Sequence, residues 1–319
     1  MLESTLMSGD ELTFVDWLHK QQRTHPAMSL GIGDDMAVVN VGNASRPGTL
    51  LVSSDMLLDG VHFDTRNQPL EKIGRKAIAC GLSDCAAMAV KPVAAVVSVA
   101  LPKVPGGPSA LEDAKRLLEG MFAIADEYDL ALVGGDTTSW EHPLAIDAAV
   151  TATPYEGIEP VRRDGAKRGD KLFVTGPLGG SLLGRHLEFT PRVHEAKALA
   201  EVLGTRLHAM MDVSDGLALD LWRMCQASGV GAVLSEQLLD RVISQDANRA
   251  AETGPTPSRT ALDHALGDGE DFELLLAVSG DATDAPAPLF PIGEITDHGL
   301  TLNRTDGRSE PLQPTGYTH

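Results

Sequence analysis

Acidic residues recur beside glycine, serine or threonine along this chain, in settings that suit oxygen ligands. The stretch 30–39 reads LGIGDDMAVV. Its two glycines suggest a phosphate-cradling loop, yet Asp34 and Asp35 stand where a phosphate would approach. Two unit charges 4 Å apart interact by about 4 kcal/mol even at an effective dielectric of ~20. Bare carboxylates there would repel a triphosphate, and bridging divalent cations would reverse the sign. Mg2+ is typically held by one or two carboxylates together with substrate phosphates. The pattern repeats at Asp55 in SSDMLLDGVHF, Asp84 in LSDCAAM, Asp136 in GGDTTS, Asp212 and Asp215 in MMDVSDG, and Glu270 and Asp271 in DGEDFE. Nearly all fall at expected strand ends or loop–helix junctions, where binding residues collect. Glu112, Asp113 and Glu119 instead fit an ordinary solvated helix face.

The elements that must position these acids follow from periodicity and punctuation. An opening helix is expected around Leu12, Val15 and Leu18, and a strand over 50–54 that ends at Asp55. A helix rich in small residues follows over 72–90, then a buried strand over 93–101 between Pro92 and Pro102. A helix over 109–129 carries a Ser109/Glu112 capping box, with Leu111, Leu118, Met121 and Ala125 in period. Strands are expected over 130–136, ending in Gly134, Gly135 and Asp136, and over 144–154. The Pro-, Gly- and charge-rich stretch 154–169 reads as a domain boundary, giving domains 1–154 and 155–319. Beyond it come a strand at 171–176, a helix after PLGG and a helix over about 194–209. A short strand at 209–213 and a helix at 214–229 follow. The last strands are expected at 231–235, after the loop DGEDFE, at 290–296 and at 299–303. Strict βαβα alternation is absent, so the fold class is α+β in two domains.

Composition narrows the partners. The chain has 319 residues, 43% of them hydrophobic, and a formal net charge of −19. Such a chain repels nucleic acid and anionic membranes unless a basic patch intervenes, and no Lys/Arg run supplies one. Cys80, Cys85 and Cys225 form no CxxC pair, which suits a reducing compartment. The first residues lack the charged-then-apolar pattern of a secretory signal. The run 93–101 is too short for a bilayer span of ~20 residues. The expected location is the cytoplasm, with no membrane and no nucleic acid as partner. No P-loop, HRD, DFG, HExxH or GxSxG motif occurs.

GIGDDMAVV, SSDMLLDGVHF, KAIACGLSDCAAMAVKP, GGDTTS, RRDGAKRGDKLFVTG, MMDVSDGLALDL, DGEDFELLLAV, IGEIT and GYTH occur in order from about Gly31 to Tyr317. In order and spacing they resemble the bacterial thiamine-monophosphate kinases, within the aminoimidazole ribonucleotide synthetase-like superfamily. Selenophosphate synthetase is disfavoured because no Cys precedes GIGDD, and the hydrogenase maturation factor because the sequence ends in Thr318-His319. The chain departs from the family pattern with Gly81 where Asn is usual, Ser54 for Thr, Asp268 for Gly, Phe272 for Tyr, and a clipped C-terminal motif.

The resemblance implies transfer of the γ-phosphoryl of ATP to thiamine monophosphate by a homodimer. Its N-terminal domains would pair, with the site in a cleft at the dimer and domain interface and several Mg2+ ions among the phosphates. It implies metal ligation by Asp35, Ser53, Ser54, Asp55, Asp84, Asp136, Asp212 and Asp215. Gly135, Asp136, Arg163 and Ser214 would contact the nucleotide, and His62, Glu270 and Tyr317 thiamine monophosphate. Asp35, Asp136 and Arg163 would carry the catalysis. The alternatives are a superfamily member with another small phosphorylated or carboxylated acceptor, or a non-catalytic nucleotide sensor.

Overall fold

A computed structural model describes residues 17–18, 20–22, 25–43, 46–103, 110–253 and 259–317. Two sheets organise them. The first has the order β1-β2-β3-β6-β4-β5, with β1 (Met28–Leu30), β2 (Ala37–Asn43), β3 (Arg46–Leu58), β4 (Val90–Pro102), β5 (Ala131–Trp140) and β6 (Ala145–Pro154). The second has the order β13-β12-β9-β11-β7-β10-β8. Its strands are β7 (Lys171–Val174), β8 (Leu207–Asp212), β9 (Gly231–Ser235), β10 (Leu274–Val278), β11 (Phe290–Thr296), β12 (Leu300–Asn303) and β13 (Ser309–Pro311). Pairing is antiparallel except at β4–β5 and β9–β12. The mixed, non-alternating order is the expected α+β architecture.

Burial shows how the first sheet is used. Along β6, Ile146, Ala148, Val150 and Ala152 are buried and their neighbours half-exposed. Only one face is covered, chiefly by α1 (Leu70–Ala87), with α2 (Ala110–Glu127) packed beside it against β4 and β5. The two helices meet where side chains are missing. A Cβ on Gly74 would lie 2.0 Å from the Leu117 carbonyl oxygen, and one on Gly120 would lie 1.7 Å from that of Glu71. One apolar cluster joins this layer to Phe173, Leu274 and Leu276 of the second sheet. Another lies within the second half, against α4 (Leu217–Ser228) and the helix Ala261–Gly267.

Several boundaries differ from expectation. β3 runs through Asp55 to Leu58, and β5 runs through Asp136 to Trp140. In both, the backbone ladder to the neighbouring strand continues through consecutive polar residues, so polarity does not end the strand. β4 is half-exposed rather than buried, because its second face is uncovered. In α2 the covered residues are Leu117, Met121, Ile124 and Ala125, whereas Leu111 and Leu118 face outward. No helix follows PLGG; two 3-10 turns, Ser181–Leu183 and Arg185–Leu187, stand there. The helix expected to 209 stops as α3 (Val193–Leu203), and β8 starts at Leu207. Most of the opening helix, Ser109 of the capping box and Thr318-His319 lie outside the described residues. No described helix is long and apolar enough to cross a membrane.

Candidate active site

The acids come together from four places in the chain. The β1–β2 loop turns at Gly33, whose φ of +123° favours glycine, and delivers Asp34 and Asp35. Gln22 Oε1 holds the loop by accepting the Ile32 N–H at 2.6 Å. Ser53 and Asp55 alternate along β3 on the face toward α1, α1 brings Asp84, and β8 ends on Asp212. Carboxylate oxygens of Asp35, Asp84 and Asp212 lie within 4.8 Å of one another. Gly81, in place of the family asparagine, fits because a Cβ there would meet Val150 Cγ2 at 2.4 Å.

Little in the protein balances this charge. Arg163 enters from a 3-10 turn between the sheets; its Nη2 donates to Asp35 Oδ1 at 2.6 Å and its backbone N–H to Asp34 Oδ2 at 3.3 Å. Burial works against the guanidinium, but Asp35 and Asp34 outweigh it and hold its pKa above the ordinary value. Ser83 Oγ donates to Asp212. Asp35 Oδ2 and Asp55 Oδ2 are buried without a hydrogen-bond partner. Burial, then Asp35, pushes Asp34 up to about 7. Burial, then Asp147, pushes Asp55 up to about 6. Asp84 and Asp212 are driven well above the carboxylate range, first by burial and then by neighbouring aspartates. These residues line a cavity of about 640 Å3 that also touches Ser54 and Ser214.

A smaller cavity of about 280 Å3 shares Ser54, Asp55 and Ser214 with the first and adds His62, Cys80, Asp215, Glu270, Phe272 and Tyr317. Three sequence motifs are hydrogen-bonded together here. The Glu270 N–H donates to Ser214 O at 2.6 Å, Phe272 N–H to Val213 O at 2.8 Å, and Tyr317 N–H to Asp215 O at 2.7 Å. Glu270 and Phe272 hold φ of +59° and +52°, uncommon for residues with side chains. Phe272 stacks on Phe189 with centroids 4.0 Å apart. His62 Nδ1 accepts the Leu58 N–H at 3.0 Å, so a neutral ring carries its proton on Nε2. Lys76 Nζ is ion-paired with Glu270 and donates to His62 O.

Six of the eight expected metal ligands line the larger cavity: Asp35, Ser53, Ser54, Asp55, Asp84 and Asp212. The Ser54 hydroxyl nonetheless donates to Asp147 at 2.9 Å, on the opposite face of the sheet from Asp55. Asp215 lines the smaller cavity and is ion-paired with Arg223. Asp220, pushed up to about 7 by burial and then by Asp215, accepts the Asp215 and Gly216 N–H groups. Asp136 does not join the cluster within this chain. It is exposed on the edge strand β5, and the register Asp136–Ser98–Asp147–Met56 puts it on the face opposite Asp55. Gly135 lies on the same exposed strand. The glycine loop 176–180 is not open to phosphate at Gly179 and Gly180, whose N–H groups donate to Asp271 and Asp268. Lys76 and Ser83 were absent from the expected site, and Asp34, singled out beside Asp35, was absent from the expected ligands. The spacing Lys76–Cys80–Asp84 was the available signal, since i, i+4 and i+8 share one helix face.

The donor set is all oxygen, with buried carboxylate oxygens unpartnered, which fits a hard divalent cation such as Mg2+. The family description "AIR synthase related protein, N-terminal domain" matches residues 33–153 and its C-terminal counterpart matches 167–299, so the chain carries both halves of that class. A thiamine-monophosphate kinase of Rhodopirellula baltica is 39% identical over 320 residues, covering 97% of each chain. The solved structure "AaThiL complexed with AMPPCP and TMP" superposes with a TM-score of 0.78 at 26% identity, covering 100% of this chain and 99% of that one. The thiamine monophosphate kinase of Aquifex aeolicus gives a TM-score of 0.74 at 26% identity, covering 94% of this chain and 98% of that one. The chain belongs to the thiamine-monophosphate kinase family.

Proposed function

We propose that this protein transfers the γ-phosphoryl of ATP to thiamine monophosphate, yielding ADP and thiamine diphosphate. The observation that carries the reading is the shared wall of Ser54, Asp55 and Ser214 between an acid-lined cavity and a smaller one bearing His62, Glu270 and Tyr317. Asp35, Ser53, Ser54, Asp55, Asp84 and Asp212 would hold Mg2+, with Asp136 and Asp215 completing the set. Bound cations supply positive charge that offsets the phosphates and polarises the transferring group. Arg163, anchored on Asp35, offers guanidinium donors to the same charge. Ser214, Gly135 and Asp136 contribute to the nucleotide site. The attacking phosphate oxygen is already deprotonated, so the chain has to orient it rather than strip a proton. Glu270 faces the cationic thiazolium, Tyr317 offers it an aromatic face, and His62 completes that wall.

The single-chain position of Asp136 is accounted for by a homodimer. The open face and edge of the first sheet expose Met56 (61%), Val96 (44%) and Val133 (64%), apolar surface that a second copy would cover. Such pairing would bring Gly135 and Asp136 to a neighbouring cleft. We place the domain boundary at 154/155 and the protein in the cytoplasm. The direct test is purified protein with ATP, Mg2+ and thiamine monophosphate, which should give one thiamine diphosphate per ADP; no product would defeat the reading. Asp84→Asn and Asp136→Asn should each be nearly inactive. Refolded together, they should regain activity in about a quarter of sites if partners supply Asp136. No recovery would confine both residues to one chain.

A further inference from the structure

Lys76 lies on α1 with its side chain wholly removed from solvent. A buried ammonium is tolerated only where it is paired and hydrogen-bonded. Its Nζ meets both conditions, through the Glu270 carboxylate and the His62 carbonyl at 2.7 Å. Those partners come from different halves of the molecule: His62 follows β3, and Glu270 precedes β10. Cys80, one turn on, lines the smaller cavity, and Asp84, another turn on, belongs to the acid cluster. The row from Lys76 to Asp84 spans ~12 Å of helix axis at 1.5 Å per residue. One helix face therefore underlies both cavities.

We propose that Lys76 is a positioning residue for the acceptor: it holds the Glu270 carboxylate and the His62 segment in place, so that walls from two domains close on one molecule. This rests on the reading of the smaller cavity as the thiamine-monophosphate site. Glu270 has no rigid strand to fix it, and the ion pair to a helix supplies that rigidity.

The test is a four-protein cycle of wild type, Lys76→Met, Glu270→Gln and the double variant. Each single variant should raise the KM for thiamine monophosphate roughly tenfold, with the KM for ATP within about twofold. The double variant should be no worse than Glu270→Gln, because Lys76 acts through that carboxylate. Its thermal midpoint should recover relative to Lys76→Met, since no buried charge is left alone. A Lys76→Met enzyme with a lowered midpoint but an unchanged acceptor KM overturns the proposal, as does a double variant whose KM is the product of the singles. If Lys76→Met does not fold, the double variant against Glu270→Gln decides: equal KM supports, and a further tenfold rise or so overturns. Wild type that forms no thiamine diphosphate would defeat the assigned reaction. Calorimetric affinity for thiamine monophosphate then replaces KM in the same cycle, and unaltered affinity in the variants overturns the role of Lys76.

Discussion

The two cavities of the cleft treat charge in opposite ways. In the larger, Asp34, Asp35, Asp55, Asp84 and Asp212 face Arg163, the one cation among its described lining residues, and two buried carboxylate oxygens have no partner. In the smaller, apart from the shared Asp55, Glu270 is matched by Lys76 and Asp215 by Arg223. Folding an unmatched buried acid is costly, and folding a matched one much less so. Oxygens left unmatched mark where a cationic ligand completes the structure; matched pairs mark where the protein has fixed a shape in advance.

The sharpest way to break this contrast is to remove an unmatched acid. Asp84→Asn should cut turnover by about 10^3-fold or more, the scale of losing a group that stabilises charge in the transition state. Its effect on the metal-free fold should run the other way. With one carboxylate fewer among Asp35, Asp55 and Asp212, repulsion falls and the thermal midpoint in EDTA should rise. The rise in midpoint that Mg2+ gives the wild type should largely vanish. Turnover with normal Mg2+ dependence would show that the trio holds no functional metal.

The next step removes the cation instead. Arg163→Met leaves Asp35 and Asp34 without their counter-charge in a buried setting, a change that typically costs about 3–5 kcal/mol. Urea unfolding in EDTA should show the loss, and saturating Mg2+ should restore part of it. The equivalent change in the smaller cavity, Arg223→Met, should destabilise with a much smaller rescue, because Asp215 is the one proposed metal ligand it leaves unpaired. Equal Mg2+ rescue of both variants would erase the distinction between the cavities.

Much of this contrast was legible in the sequence, and its limits have physical causes. The acids announced themselves because each sits near small or hydroxyl residues, and although Asp55 lies within β3 and not at its end, Asp35, Asp55, Asp84 and Asp212 do converge. Their partners did not. Lys76 reads as an ordinary surface lysine until α1 is packed, and Ser83 reads as a helix filler until β8 lies beside it. Asp136 carries the same kind of small-residue signal as the others, but the β5 register sends it to the opposite face, a fact set by strand pairing alone. The glycines after Pro177 suggested a helix start. Gly179, Gly180 and Gly184 have φ of +85°, +72° and +138°, and carboxylates occupy the N–H groups of the first two. That contact is fixed by residues about 90 positions downstream, beyond any local pattern.

The smallest effect tests whether burial without a partner charge behaves the same way outside the cavities. His186 is buried within the second 3-10 turn, with Nδ1 2.9 Å from Ser181 O. Burial first, and then the Lys76 charge, lowers its pKa from 6.5 to about 4. The unfolded chain therefore takes up a proton near 6.5 that the folded chain refuses until about 4. Its contribution to stability is complete above the unfolded value and is lost as pH falls toward the folded one. That difference corresponds to about 3 kcal/mol across the window. His186→Gln keeps a donor for Ser181 O and removes the titration. Between pH 7 and 4, urea unfolding should show the wild type losing about 3 kcal/mol more than the variant, with turnover at pH 7.5 nearly unchanged. Parallel pH profiles would mean that the imidazole is protonated inside the fold. The Lys76–Glu270 pair would then sit beside a second cation, and the smaller cavity would no longer be the charge-matched half of the cleft.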